Sequence, residues 1–230
     1  MIYLIPTFLS EVALDCLPAY ILPAILDCQV VFAENERTTR RFFKALSRDI
    51  VIDSFEWYPM GKGENGDLEN FRKSVKAGKH IALVSEAGCP GVADPGQKLV
   101  SEAHRLQVPV KPLVGPSSIL LALMASGLNG QSFCFHGYLP IDSGAQGKKI
   151  RQLEEQSAKS QSTQIFIETP YRNNRIMQAL LEHCRPDTLI CVAASLTAPQ
   201  EWIRTLSARE WKTQLPELHK KPAIFLMQAS

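Results

Sequence analysis

The thirteen residues Val84 to Gly96, VSEAGCPGVADPG, bring three glycines, two prolines and two carboxylates into one loop between an apolar run, HIALV, and a helical pattern, QKLVSEAHRL. Each residue type has a use at a binding site. Gly88, Gly91 and Gly96 let the main chain approach a ligand closely or take φ > 0. Pro90 and Pro95 fix φ and stiffen the loop. Glu86 and Asp94 can accept hydrogen bonds from hydroxyl or amine groups. The same residues have a purely architectural use, in which Asp94 caps the next helix and Pro95 occupies its first turn.

A second loop has the same character. In VPVKPLVGPSSILLALMASGL a strand leads into Gly115-Pro116-Ser117-Ser118 and then an apolar helix. Ser117 or Ser118 is a natural N-cap, and the helix N-terminus it caps is a place where an anionic group can rest. The chain has no G-x-x-x-x-G-K-[ST] and no G-x-G-x-x-G between a strand and a helix, which argues against a P-loop site and a dinucleotide fingerprint. GKGENG at 61–66 follows Trp57-Tyr58-Pro59 in a polar turn and reads as a connector.

Around these loops, short β-rich runs alternate with helical patterns, which predicts an α/β class with a mostly parallel sheet. Strands are expected at 2–5, 30–33, 50–55, 81–84, 110–113 and 132–135, with helices such as 38–46 and 68–77 between them. The segment 139–149, rich in Gly, Pro, Ser and Lys, has no apolar period and reads as a linker. Beyond it the pattern restarts with helix 150–159, strand 163–167, helix 172–184, and strands 188–193, 202–206 and 222–227. The expectation is two domains, 1–138 and 150–230, joined by 139–149. Ligand sites in open α/β sheets gather beyond the carboxyl ends of strands, where both glycine-bearing loops fall.

The bulk numbers narrow the class. The 230 residues are 45% hydrophobic, and 25 Lys+Arg against 23 Asp+Glu leave a formal charge of +2. That composition excludes disordered and fibrous classes and advertises no basic nucleic-acid stripe. No run approaches the length of a membrane span, and MIYLIPT lacks the charged region of a signal peptide, so a cytoplasmic location is expected. The six cysteines form no C-x-x-C and the five histidines no H-E-x-x-H, so neither a metal site nor a disulfide framework is expected.

Three motifs in order, VSEAGCPGVADPG, LVGPSSILLALMASGL and FCFHGYLP, resemble the tetrapyrrole methylase superfamily, in particular its bacterial small-subunit ribosomal RNA methyltransferase I branch. That branch carries D-A-G-x-P-x-x-x-D-P-G, P-G-P-[CS] and F-x-G-[FY]-L-P. Here Glu86 stands in the place of its Asp, while Gly88, Pro90, Asp94, Pro95 and Gly96 match. VFAENERTT and IFIETPYR resemble its A-E-D-T-R-x-T and F-Y-E-S-x-x-R segments. The resemblance implies two α/β domains of the tetrapyrrole methylase type with S-adenosylmethionine in a cleft between them, usually in a homodimer. Carried residue by residue, it assigns the cofactor to Ser85, Glu86, Ala87, Gly88 and Pro90. A second contact falls on Gly115, Pro116, Ser117 and Ser118, and adenine-side contacts on Thr169, Ala193 and Ala194.

Three departures bear on the acceptor. The branch's T-P-I-G-N loop is replaced by IPTFLSEVALDCLPAY; its R-E-L-T-K and K-G-E read ASLTA and KPA; and the sequence stops at Ser230 without the branch's helical extension. The implied activity is 2′-O-methylation of a ribose in small-subunit ribosomal RNA. Its alternatives are methylation of a small molecule or tetrapyrrole, and non-catalytic binding of S-adenosylmethionine. Methyl transfer needs no protein nucleophile, but a ribose hydroxyl must lose its proton, and Glu34, Glu36 and Glu168 are candidates to take it, each equally suited to a capping or solvated place. Arg37, Arg40, Arg41, Arg172 and Arg175 could hold phosphates or line ordinary solvated helix faces. Trp57-Tyr58 could stack on a base or cover a sheet edge. Gly88→Val is expected to block the cofactor with little loss of folding if φ at that position is negative.

Overall fold

The computed structural model describes residues 1–61 and 64–230, the side chains of 64–66 excepted. The chain divides into two compact units, Met1–Ser117 and Ser118–Ser230.

In the first unit, strands β1 (Ile2–Ile5), β2 (Val30–Ala33), β3 (Glu56–Pro59), β4 (Ile81–Val84) and β5 (Val110–Pro112) form one sheet, all parallel, in the order β3-β2-β4-β1-β5. Helices α1 (Ile21–Leu26), α2 (Glu36–Leu46), α3 (Glu64–Lys76) and α4 (Gln97–Arg105) connect them. The strands are apolar at successive positions because both faces are covered. Tyr3, Ile5, Val31, Ala33, Ala82 and Val84 pack against Ile21 and Ile25 of α1 and Phe42 and Phe43 of α2. The alternate residues, Ile2, Val30, Phe32, Ile81 and Leu83, pack against Phe71 of α3 and Leu99 and Ala103 of α4. Every residue of the central strand β4 is fully buried.

The second unit contains α5 (Ser118–Ser126), β6 (Phe133–Tyr138), α6 (Ser143–Ser160), β7 (Thr163–Ile167), α7 (Asn173–His183), β8 (Leu189–Ala194), β9 (Trp202–Ser207), α8 (Ala208–Trp211) and β10 (Ala223–Gln228). Its sheet runs β6-β7-β10-β8-β9, with β6 parallel to β7 and the other pairs antiparallel. Trp211, fully buried, anchors the core beside Phe166, Phe225 and Leu180 and donates its indole N–H to the Ile190 carbonyl at 2.9 Å.

Four sequence expectations are corrected. The strand expected at 50–55 is a turn of 3₁₀ helix, Ile52–Ser54, with β3 starting at Glu56; the Ser54 hydroxyl donates to the Val51 carbonyl at 2.6 Å, a local bond that competes with extended pairing. The strand assigned to the end of the first domain is β6, which pairs with β7 of the second sheet, so the division falls after 117 rather than 138. The segment 139–149 is not a linker: Asp142 caps α6 by accepting from the Ala145 N–H at 2.8 Å, and most of the segment is helical. Its Gly147 is a packing residue, since a Cβ there would lie 2.4 Å from His183 Nε2. Of GKGENG, Lys62 and Gly63 lie outside the described residues, while 64–66 open α3 rather than a connector.

Candidate functional site

Right-handed crossovers place α1 and α2 on one face of the first sheet and α3 and α4 on the other, so the chain leaves the neighbouring strands β1 and β4 toward opposite faces. A crevice opens at the carboxyl ends of such a pair. Both expected loops lie at this edge. The Thr7 N–H donates to the Gly88 carbonyl at 2.9 Å, tying the chain after β1 to the chain after β4. The Glu86 N–H donates to Glu34 Oε2 at 3.0 Å, tying it to the end of β2. The Cys89 thiol lies 3.5 Å from the Pro116 carbonyl, beyond the end of β5. Gly88 and Gly115-Pro116 are therefore neighbours.

The two glycines differ in why they are glycine. Gly88 has φ +72°, a left-handed conformation that costs other residues about 1–2 kcal/mol. The expectation that Gly88→Val folds with little loss is thereby overturned, since it required a negative φ. At Gly115 the reason is space: a Cβ would lie 2.1 Å from Pro6 Cβ. Ser85 is 1% exposed, and Ala87 and Glu86 are exposed.

Three carboxylates share this edge. Burial pushes the Asp94 carboxyl up to about 6, the nearby charges of Glu34 and Glu86 add to the rise, and a hydrogen bond from Ser85 opposes it. Asp94 does not cap the next helix. The N-cap of α4 is Gly96 at φ +126°, without a side-chain bond. The sequence offered no hint of this titration, because the elevation comes from burial and from two carboxylates distant along the chain.

Beside the loop, a pocket of about 400 Å³ is lined by Thr7, Phe8 and Glu11 after β1, by Ser85 and Glu86, and by Thr38, Thr39, Arg41, Phe42 and Ala45 of α2. Sequence reasoning assigned Thr7, Phe8, Thr38 and Thr39 no role at a site. The Asn35 side chain positions α2 by accepting from the Arg37 and Thr38 N–H groups at 3.1 and 3.4 Å. Thr38 Oγ1 donates to the Asn35 carbonyl and lies 3.5 Å from Glu86 Oε1.

The remaining sequence candidates separate. Glu34 is in the crevice, engaged with the Glu86 N–H; Glu36 is exposed and ion-paired with Arg40 at 2.7 Å. Glu168, 6% exposed, accepts from the Thr169 N–H at 2.7 Å and pairs with Arg172 at 2.5 Å. Ser118 begins α5 in the second unit, which also holds Thr169, Ala193 and Ala194. Ala193 and Ala194, at the end of β8, are 1% and 2% exposed, so they offer a ligand little besides main chain. Arg40 is taken up by Glu36, Asp53 and the face of Trp57; Arg175 donates to the Ile141 carbonyl. Trp57 and Tyr58 lie on the edge strand β3, packed on Phe43 and Phe32. Among the described residues no His/Cys/Asp/Glu group is arranged to hold a metal, and no helix is long and apolar enough to cross a membrane.

With this geometry in hand, comparison with known proteins places the chain. The sequence profile described as "Tetrapyrrole (Corrin/Porphyrin) Methylases" matches residues 17–211. The chain belongs to this family. Among curated relatives it is 30% identical over 215 residues to the ribosomal RNA small subunit methyltransferase I of Mesorhizobium japonicum, covering 90% of this chain and 67% of that protein. It is 38% identical over 141 residues to the protein of the same name from Vibrio cholerae, covering 61% and 48%. The match thus spans about half to two thirds of the length of these relatives. The solved uroporphyrin-III-C-methyltransferase of Thermus thermophilus shares the fold at a TM-score of 0.61 and 19% identity, covering 99% of this chain and 93% of that one. A Thermus thermophilus structure of uroporphyrin-III C-methyltransferase complexed with S-adenosylhomocysteine matches at 0.58 and 17%, covering 99% and 96%.

Proposed function

We propose that this chain is an S-adenosylmethionine-dependent methyltransferase that methylates the 2′-hydroxyl of a ribose in small-subunit ribosomal RNA, as a cytoplasmic homodimer. The observation that carries the cofactor half is the meeting of Gly88 and Gly115-Pro116 beside Glu34, Glu86 and Asp94 at strand ends. Glu86 and Ala87 are exposed, which leaves the loop open to a ligand, and the carboxylates of Glu34 and Asp94 suit a cationic sulfonium. The acceptor half rests on the printed names of the curated relatives.

When bound, the cofactor supplies the electrophilic methyl group. The work left to this chain is placement, and well-aligned reacting groups are worth roughly 7–11 kcal/mol of barrier. Of the carboxylates suggested for the acceptor proton, Glu34 is the one in the crevice, whereas Glu36 faces solvent and Glu168 is held by Arg172.

Calorimetric titration with S-adenosylmethionine, S-adenosylhomocysteine and NAD tests the cofactor: the first two are expected to bind, and a response to NAD alone overturns the reading. Incubation with methyl-labelled cofactor and small ribosomal subunits from a strain lacking the modification tests the acceptor. Label is expected in ribose of the ribosomal RNA. Label in a small-molecule fraction, with none in RNA, replaces the acceptor and leaves the cofactor assignment standing.

A further inference from the structure

The pocket beside the Ser85–Glu86 loop has a polar group in its lining that its own walls do not satisfy. Thr39 lines it, is 2% exposed, and has a hydroxyl oxygen without a hydrogen-bond partner. A buried polar atom left in that state costs about 1–3 kcal/mol, which a ligand's hydrogen bond would recover. Its neighbour Thr38 turns a hydroxyl toward Glu86. On the apolar side, half-buried Phe8 rests edge-on against Phe42 with ring centroids 5.4 Å apart, leaving aromatic surface in the wall. Arg41, an exposed residue of the lining, adds a positive charge, whereas its sequence neighbour Arg40 is engaged with Glu36 and Asp53.

An aromatic wall, a hydroxyl in need of a partner, a carboxylate and an exposed arginine are the recognition elements of a nucleotide drawn out of its strand: the base against the aromatic surface, its edge hydrogen-bonded, its phosphate at the arginine. The carboxylate selects among bases. Glu86 can accept from an exocyclic amino group, which cytosine, adenine and guanine carry and uracil lacks. We propose that this pocket receives the base of the acceptor nucleotide and favours one bearing an exocyclic amino group, with Thr39 and Glu86 reading its edge. The proposal rests on the methyltransferase reading above and deepens it. It gives the unusual loop after β1, which contributes Thr7, Phe8 and Glu11, a part in substrate choice.

The test is an NMR-monitored titration of the full chain with cytidine, adenosine and uridine 5′-monophosphates, with and without S-adenosylhomocysteine. Either amino-bearing nucleotide is expected to bind roughly tenfold more tightly than the uridine nucleotide and to shift the resonances of Thr38 and Thr39. Thr39→Val, nearly the same shape, is expected to raise the melting temperature by removing the unpaired hydroxyl and to retain the affinity for S-adenosylhomocysteine, while weakening the nucleotide roughly fivefold. Glu86→Gln is expected to bring the cytidine-to-uridine ratio close to one. Equal binding of all three nucleotides, binding of none, or unchanged nucleotide affinity in Thr39→Val overturns the assignment. Failure of S-adenosylhomocysteine to bind counts instead against the methyltransferase reading, because the nucleotide titration also runs without it.

Discussion

Gly88 and Asp94 occupy one loop and make opposite demands on a substitution. Gly88→Ala adds a methyl group at an ordinary contact distance of 3.4 Å from Leu9 and the Pro116 carbonyl, so its cost comes from φ rather than from collision. A loss of about 1–2 kcal/mol in chemical denaturation is expected. Asp94→Asn works the other way. Folded, Asp94 keeps its proton up to about pH 6; unfolded, it releases it near 3.8. Through that window the folded chain binds more protons than the unfolded chain, so stability falls as pH rises, and the penalty is complete above it. Asp94→Asn is expected to raise the melting temperature above pH 7 and to flatten its slope between about pH 4 and 6, read by thermal melts across that range. An unaltered pH profile would show that the carboxyl titrates in its ordinary range.

At the scale of elements, α2 supports the pocket and Asn35 supports α2. Asn35→Ala removes the acceptor for two N–H groups and is expected to cost about 1 kcal/mol, with a matching loss of hydrogen-exchange protection at Arg37 and Thr38. Strands β1, β2, β4 and β7 have the bounds expected from their apolar runs, because a strand buried on both faces or at the centre of a sheet has little freedom in composition. Two elements escaped the sequence reading for identifiable reasons. The Ile50–Phe55 run is apolar enough for a strand, yet Asp53 and Ser54 turn it into a 3₁₀ segment. The first turns of α6 read as a linker because their glycines suggest flexibility, whereas Gly147 is small to admit His183. The glycine-bearing site loops were legible because they combine residues that fit a ligand better than a core. The pocket was not, since Phe8, Thr39 and Glu86 are far apart in sequence and only the β1–β4 switch assembles them.

For the whole chain, each unit has a separate apolar core, Trp211 belonging to the second and the two faces of the parallel sheet to the first. Trp211→Ala removes the largest fully buried side chain and its hydrogen bond to the Ile190 carbonyl. A loss of about 3–5 kcal/mol is expected. Its signature in hydrogen exchange is faster exchange in peptides from 118–230, with those from 1–117 little altered; equal acceleration in both would mean that the cores do not unfold separately.

The contact of Pro6 with Gly115 makes two positions more than a hundred residues apart a single unit of inheritance. With proline at 6, any β-carbon at 115 collides with its ring, so neither position is free to drift alone. A lineage that abandons glycine at 115, beyond β5, must first place glycine at position 6, because the Cβ of residue 6 is itself the closest obstacle, and the order of those two steps is fixed by sterics.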